Sequence, residues 1–452
     1  MLAHAALVAL VATAGRPTPI TPRSHMAAAQ HTATRLARAD DPRLLSYTVD
    51  GVRVLQRLTP ESPLVAARVV LMGGVRQLTP ATQGIEALYL LASEYGTTER
   101  PESEWRQSWA RTGARGIESV DDDWTTLGFD GLVEDFDTSW SLLADRLLAP
   151  SLARESVDRA RARQRAALRR ARETPDAEIM RLADSIAYRG HLYGVAVQGT
   201  DSSLATLDSA ALRDYATRTF TRSRLVVVVV GDVSRERVES AVRASFGRLP
   251  AGDYVWTLPR APRFEETAVT FVPRGLPTNY LIGVFSAPTM DSGNLLAYRW
   301  SMGILATLID EEVRQKRGLS YAATAGVMER AAPNGYFYVT TNMPKEALAQ
   351  IRRTVVELRS DESLDADLRF GGSRRESLGF LFQHMTVSAQ ADALLESQLL
   401  LGDHRLADRD VSTAQSVSGA AIRRMLMAHV RNIRFIYAGD TTRIARREFE
   451  KF

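Results

Sequence analysis

Cysteine is absent from this 452-residue chain. That excludes disulfides, thiolate nucleophiles, cysteine-type zinc sites and iron–sulfur clusters, and leaves the compartment open, since a cysteine-free chain suits either redox environment. Lysine is almost absent: Lys316, Lys345 and Lys451 stand among 57 basic residues. With a formal net charge of only +4, the arginine bias reads as genomic composition rather than as a nucleic-acid surface. Beyond the N-terminus no stretch reaches the roughly 18 consecutive apolar residues of a membrane span. Histidine is scarce and scattered, at positions 4, 25, 31, 191, 384, 404 and 429. Only His25 and His31 are near neighbours, so no local histidine pattern supports a metal.

What is present is a globular composition. The hydrophobic fraction of 45% allows sizeable cores, and the length suggests two or three domains. An apolar run from Ala5 to Ala12 and an A-x-A ending at Ala14 resemble a short signal peptide, although the usual basic n-region is missing. This points to export, to the periplasm or the exterior, with a cytoplasmic protein as the alternative. Residues 15–45 are rich in Pro, Thr, Ala and Arg and read, with the first 14, as a leader.

A long repeat organises the remainder. "RLVVVVVGDVSRERVESAVRASF", from Arg224, is a continuous β-branched run, then Gly231-Asp232, then an amphipathic stretch: a buried strand followed by a helix. "IRFIYAGDTTRIARREFEKF" predicts the same strand and helix around Gly439-Asp440. The beginnings of the halves also match, each a strand, a loop and a helix. Long helices are predicted over 152–173 and 378–400. The chain thus reads as α+β, with a domain over 46–250, a Pro-rich linker over 251–266 and a second domain of like design over 267–452.

"GIEALYLLASEYGT", from Gly84, predicts an amphipathic helix stopped at Gly96. Ala87, Leu90 and Leu91 lie at i, i+3 and i+4 on one face. That is the spacing of an inverted zinc motif, H-x-x-E-H, with every ligand replaced. Three further stretches line up with this one: "DDDWTTLGFDGLVEDFDTSWSLLADRLLAP", "HLYGVAVQGTDSSLATLDSAALRDYATRTFTRSRLVVVVVGDV" and "DEEVRQKRGLSYAATA". Together, in this order and inside the repeat, they resemble the pitrilysin/insulinase (M16) metallopeptidases from residue 46 onward. The resemblance implies two homologous α/β-sandwich domains in tandem, forming half of a clamshell.

It also implies where the chemistry should stand. In members that cut peptides, two histidines and a downstream glutamate hold zinc and the motif glutamate activates water. Here the histidine positions are Ala87 and Leu91, the base position is Leu90, and the downstream glutamate falls at Ala166 or Ala167, so no metal is expected in this chain. The family's Arg and Tyr, which hydrogen-bond the scissile carbonyl, match Arg314 and Tyr321. A guanidinium and a phenol suit a developing oxyanion, although Arg314 could also serve only its helix end. The family's substrate-pairing edge strand falls near Ile117-Glu118, where its Asn-Ala is missing.

Other features have plainer readings. Asp121, Asp122 and Asp123 fit a turn before a strand. His191 fits a structural hydrogen bond. The basic run from Arg159 to Arg172 fits a solvated helix face flanked by Glu155 and Glu173. The resemblance implies a zinc-less subunit of a two-chain peptidase, paired with an insulinase-family subunit that carries the zinc, and acting on peptides. The competing expectation is a structural member without catalytic part, similar to core subunits of respiratory complexes.

Overall fold

The computed structural model describes residues 41–290, 293–362, 385–408 and 417–452. Six strands form the first sheet: β1 (Leu44–Val49), β2 (Val52–Leu58), β3 (Leu64–Met72), β4 (Arg115–Val120), β5 (Trp124–Leu132) and β6 (Leu225–Gly231), in the order β1-β2-β6-β3-β5-β4. The second holds β7 (Ala268–Pro273), β8 (Asn279–Ser286), β9 (Ala322–Met328), β10 (Asn334–Thr341) and β11 (Arg434–Gly439), in the order β7-β11-β8-β10-β9. Apart from β1, the two orders are one topology. Each sheet has a single parallel pair, β2 with β6 and β7 with β11, and is otherwise antiparallel. Gly231 and Gly439 close the equivalent central strands. β1 begins at Leu44, inside the stretch expected as leader.

Every residue of β6 is buried, because both faces of its sheet are covered; an alternating polar face would have had no water to meet. One face carries α1 (Ile85–Ser93), α2 (Glu102–Arg111), α3 (Phe136–Leu148), α4 (Arg154–Glu173), α6 (Asp201–Thr206), α7 (Ser209–Thr219) and α8 (Arg235–Ala244). The other face is filled from far along the chain. Leu55, Val70, Val226 and Val228 pack against Leu394, Leu395 and Leu399 of α11 (Val387–Leu401). Reciprocally, α5 (Pro175–Ala187) sends Ile179 and Ala183 onto Ile282, Val284 and Ile436 of the second sheet. The opposite face of that sheet holds α9 (Leu295–Ile309), α10 (Pro344–Ser360) and α12 (Gly419–His429).

The halves therefore exchange a helix, and residues 40–452 form one compact unit. Cutting the chain in the linker would strip each sheet of a helix layer. The linker itself has no helix or strand from 250 to 264, yet it is fastened down. The Trp256 indole donates to Leu399 O at 2.7 Å, and Arg76 stacks over its ring at 4.5 Å.

Two helix expectations need correction. No α-helix follows β11, only a short 3-10 turn at Arg446–Glu448: Asp440 accepts from Thr442 N at 3.0 Å, and the chain turns so that Phe449 and Phe452 pack on Phe435. Two aromatic anchors facing one core hold this terminus more firmly than a solvated helix would. Of the helix expected over 378–400, the part from Val387 is helical, Thr386 caps it, and 378–384 lies outside the described residues, as does the apolar N-terminal run.

Candidate functional site

α1 is set by backbone contact at its start. Gly84, at φ +86°, lies so close to Gly199 that a Cβ would sit 2.8 Å from the Gly199 Cα; only glycine fits there. From α4, Gln164 Nε2 donates to Gly84 O (3.2 Å) and Gln198 O (3.0 Å), while Ser203 Oγ donates to Gln83 O at 2.9 Å. At the other end Arg146 of α3 donates to Leu90 O and Ser93 Oγ, both at 3.0 Å, and to Glu118 on β4 at 2.6 Å. The helix on which the resemblance would place a zinc motif is thus rigidly held.

The ligand positions carry no donors. Ala87 and Leu90 are buried, Leu91 is half-buried, and Ala167 is exposed on α4 beside half-buried Ala166. Methyl and isobutyl groups have no lone pair for a metal, so these residues do not fit zinc. The neighbouring charges pair with each other: Arg163 of α4 donates to Glu94 at 2.7 Å, and Arg159 stacks on Tyr95 at 4.2 Å. Among the described residues no group of three or more His, Asp or Glu could hold an ion. The purified chain should accordingly carry no stoichiometric zinc, and Leu91→His should not restore it, because one ligand is far from enough. Elemental analysis finding one tightly held zinc per chain would contradict this.

Arg314 and Tyr321 sit elsewhere, at the end of α9. The backbone there widens into a π-turn over Asp310–Gln315, with Lys316 N donating to Glu311 O at 2.8 Å. Such turns are frequent at functional sites. The widening lets Asp310 receive both Arg314, through Nε at 2.6 Å and Nη2 at 3.2 Å, and Gln315 at 2.8 Å. The hydrogen bond from Arg314 holds the Asp310 carboxyl below its ordinary value. Tyr321, just before β9, is 91% exposed. Among the described residues, neither side chain bonds to α1 or α4.

The remaining candidates are structural. Asp123 is buried, accepts from Tyr193 Oη (2.7 and 2.8 Å) and Ala331 N (2.8 Å), and faces Arg76 at 3.3 Å. Asp122 and Asp184 share Arg330, each at 2.7 Å. The three aspartates thus bind the first half to the second. His191 accepts at Nδ1 from Tyr193 N, so its Nε2 carries the proton and donates to Arg260 O at 2.8 Å. The arginines of α4 pair with Glu94, Glu102, Asp158 and Asp201, not with the flanking Glu155 and Glu173. β4, with Ile117 and Glu118, is the edge strand of the first sheet among the described residues. Behind it a cavity of about 310 Å³ is lined by Trp105, Trp109, Leu143 and Arg146, with Glu94, Gly116 and Gly128; five separate segments build it, and no local pattern announces it. Glu86 was equally hidden: it reads as a surface acid of α1 but is 2% exposed.

Comparison with known proteins agrees with this geometry. The family described as "Peptidase M16 inactive domain" matches residues 206–368. The uncharacterized zinc protease YmxG of Bacillus subtilis is 21% identical over 379 residues, covering 82% of this chain and 91% of that protein. An uncharacterized zinc protease of Mycobacterium tuberculosis is 25% identical over 247 residues, 50% of this chain and 54% of the relative. Among solved structures, the M16 inactive domain from Pseudomonas fluorescens superposes with a TM-score of 0.79 at 18% identity, covering 89% of this chain and 98% of that one. A protease from Helicobacter pylori gives 0.77 at 14% identity, with 88% and 99% covered. Residues 206–368 thus carry the inactive domain of the M16 peptidase family, and the paired sheets give the chain the fold of those M16 structures.

Proposed function

We propose that this chain is the zinc-less subunit of a two-chain M16 peptidase. Its partner would be an insulinase-family subunit with an intact H-x-x-E-H, supplying metal and general base. This chain would lend Arg314 and Tyr321. One observation carries the reading: the fold has no donors where the family binds zinc, yet it leaves Arg314 and Tyr321 in solvent, where packing does not require either. A phenol 91% exposed beside a guanidinium is suited to reach a carbonyl oxygen presented by another surface, donating as charge develops there. Peptides would be the substrates. The expected export signal would place the pair in the periplasm or outside the cell, and the two halves, divided at 251–266, would act as the homologous domains of one clamshell half.

The competing reading, a structural member with no catalytic part, draws on one feature. Two donors of Arg314 are already held by Asp310, as in a simple ion pair at a helix end. Mixing decides between them. This chain and a partner bearing H-x-x-E-H, each inert alone, should together hydrolyse an unfolded peptide. A stable complex with no more activity than the partner alone would favour the structural reading.

A further inference from the structure

Glu86, in the first turn of α1, points into the core that seals this helix to the first sheet. Neither carboxyl oxygen makes a hydrogen bond of good geometry, nor do the buried hydroxyls of Thr125 on β5 and Tyr215 on α7, although both hydroxyls lie close enough to Glu86 to act on its carboxyl. All three line one small void, of about 10 Å³, whose other walls are apolar, among them Leu71 and Leu127. A void of that size is about one water sphere, and a buried water needs two to four polar partners. These three groups supply them.

The charges around Glu86 do not neutralise it by contact. Arg224, before β6, approaches it, but its Nη1 is also buried without a partner and its guanidinium lies over the Tyr254 ring at 4.2 Å. Asp121, from the turn between β4 and β5, adds a like charge. Tyr89 of the same helix is engaged with Leu147 O at 2.7 Å. From α4, Gln164 is engaged with Gly84 O. An ionised carboxylate here would be desolvated without a bonded counter-charge. A neutral acid, by contrast, has one O–H to give and one carbonyl oxygen to receive, matching a water shared with two hydroxyls.

We propose that Glu86 is a buried proton site that seats α1: as the neutral acid, bridged by one water to Thr125 and Tyr215, it holds the helix on the sheet, and losing the proton loosens it. Burial lifts the Glu86 carboxyl to about 7, with the Thr125 and Tyr215 hydroxyls acting in the opposite direction. An unfolded glutamate loses its proton near its ordinary value of 4.5. Because the folded chain keeps the proton longer, stability falls as pH rises from about 4.5 to about 7 and stays low above that. The loosening would reach a functional surface, since the far end of α1 holds Arg146, Glu94 and the edge strand β4.

The test compares thermal midpoints of the full chain and Glu86→Gln from pH 5 to pH 8. Other acids titrate in this range, so the difference between the two curves is what reports on Glu86. The midpoints should nearly coincide at pH 5, and the variant should melt roughly 3–6 °C higher at pH 8. Protection of the 85–93 amides, after correction for the intrinsic base catalysis of exchange, should fall with pH in the wild type only. Parallel curves, or a variant that melts lower at both ends, would overturn the proposal. Should Glu86→Gln fail to fold, infrared spectra of the wild type decide. A protonated-carboxyl band lost between pH 6 and 8, and shifted by Tyr215→Phe, supports the site; no such band overturns it.

Discussion

In the proposed two-chain peptidase, Arg314→Ala is expected to lower kcat by roughly 10²–10³, the usual loss on removing one oxyanion donor. Tyr321→Phe should cost about as much, for it deletes a single hydroxyl and nothing that the fold uses: the ring is almost wholly in solvent. KM should move far less, because a donor used mainly in the transition state adds little to ground-state binding. Arg314→Lys should fail nearly as badly as alanine. The guanidinium presents Nε and Nη2 to Asp310 while its remaining N–H groups stay available, and an ammonium cannot reproduce that division. Folding should be untouched, since an exposed ion pair contributes little to stability. Steady-state kinetics with co-purification as a control reads all of this. If both substitutions leave kcat unchanged while the complex forms, the pair has no catalytic part and the structural reading stands.

Much of this architecture was legible in the chain itself, for identifiable reasons. A run such as Leu225–Gly231 can only be a strand covered on both faces, and its echo at Arg434–Gly439 marks the second sheet. The spacing of Ala87, Leu90 and Leu91 survives without its chemistry because α1 still packs. What local pattern cannot tell is the identity of a covering partner. The apolar face of α11 announces burial, but nothing in its period says that it lies on the first sheet. Arg68 reads as a polar interruption of β3, whereas it is fully buried, reaching Asp130 at 2.9 Å and Ser388 at 2.7 Å across more than 300 residues of chain in the latter case. The π-turn that sets Arg314 is likewise invisible to a 3.6-residue period. For the candidate site, residue types were readable and distances were not.

Asp123→Ala should be the most destabilising single change in the polar core, by about 3–5 kcal/mol, the loss expected when one partner of a buried ion pair is removed. The argument rests on what would be left behind. The Arg76 guanidinium, buried against Trp256, would keep only its bond to Thr257 O at 2.8 Å. The Tyr193 hydroxyl would retain its donation from Ala331's neighbour, Ala332 N at 3.0 Å, but would have no acceptor of its own. Ala331 N–H would be orphaned outright. Each unsatisfied buried group costs about 1–3 kcal/mol, so the sum is consistent with the pair estimate once partial relaxation is allowed. Asp123→Asn keeps one acceptor oxygen and should lose roughly half as much, while Tyr193→Phe removes both the donor to Asp123 and the acceptor of Ala332 N and should lose about 1–3 kcal/mol. Because these contacts join the turn before β5 to the 330–332 segment, the damage should surface first as proteolytic cleavage near Tyr193 and Arg330, before either sheet opens. Urea denaturation of the three variants measures the ranking. A value for Asp123→Ala within 1 kcal/mol of wild type would mean that the exchanged helices alone hold the halves together, and that the aspartate cluster is a turn and nothing more.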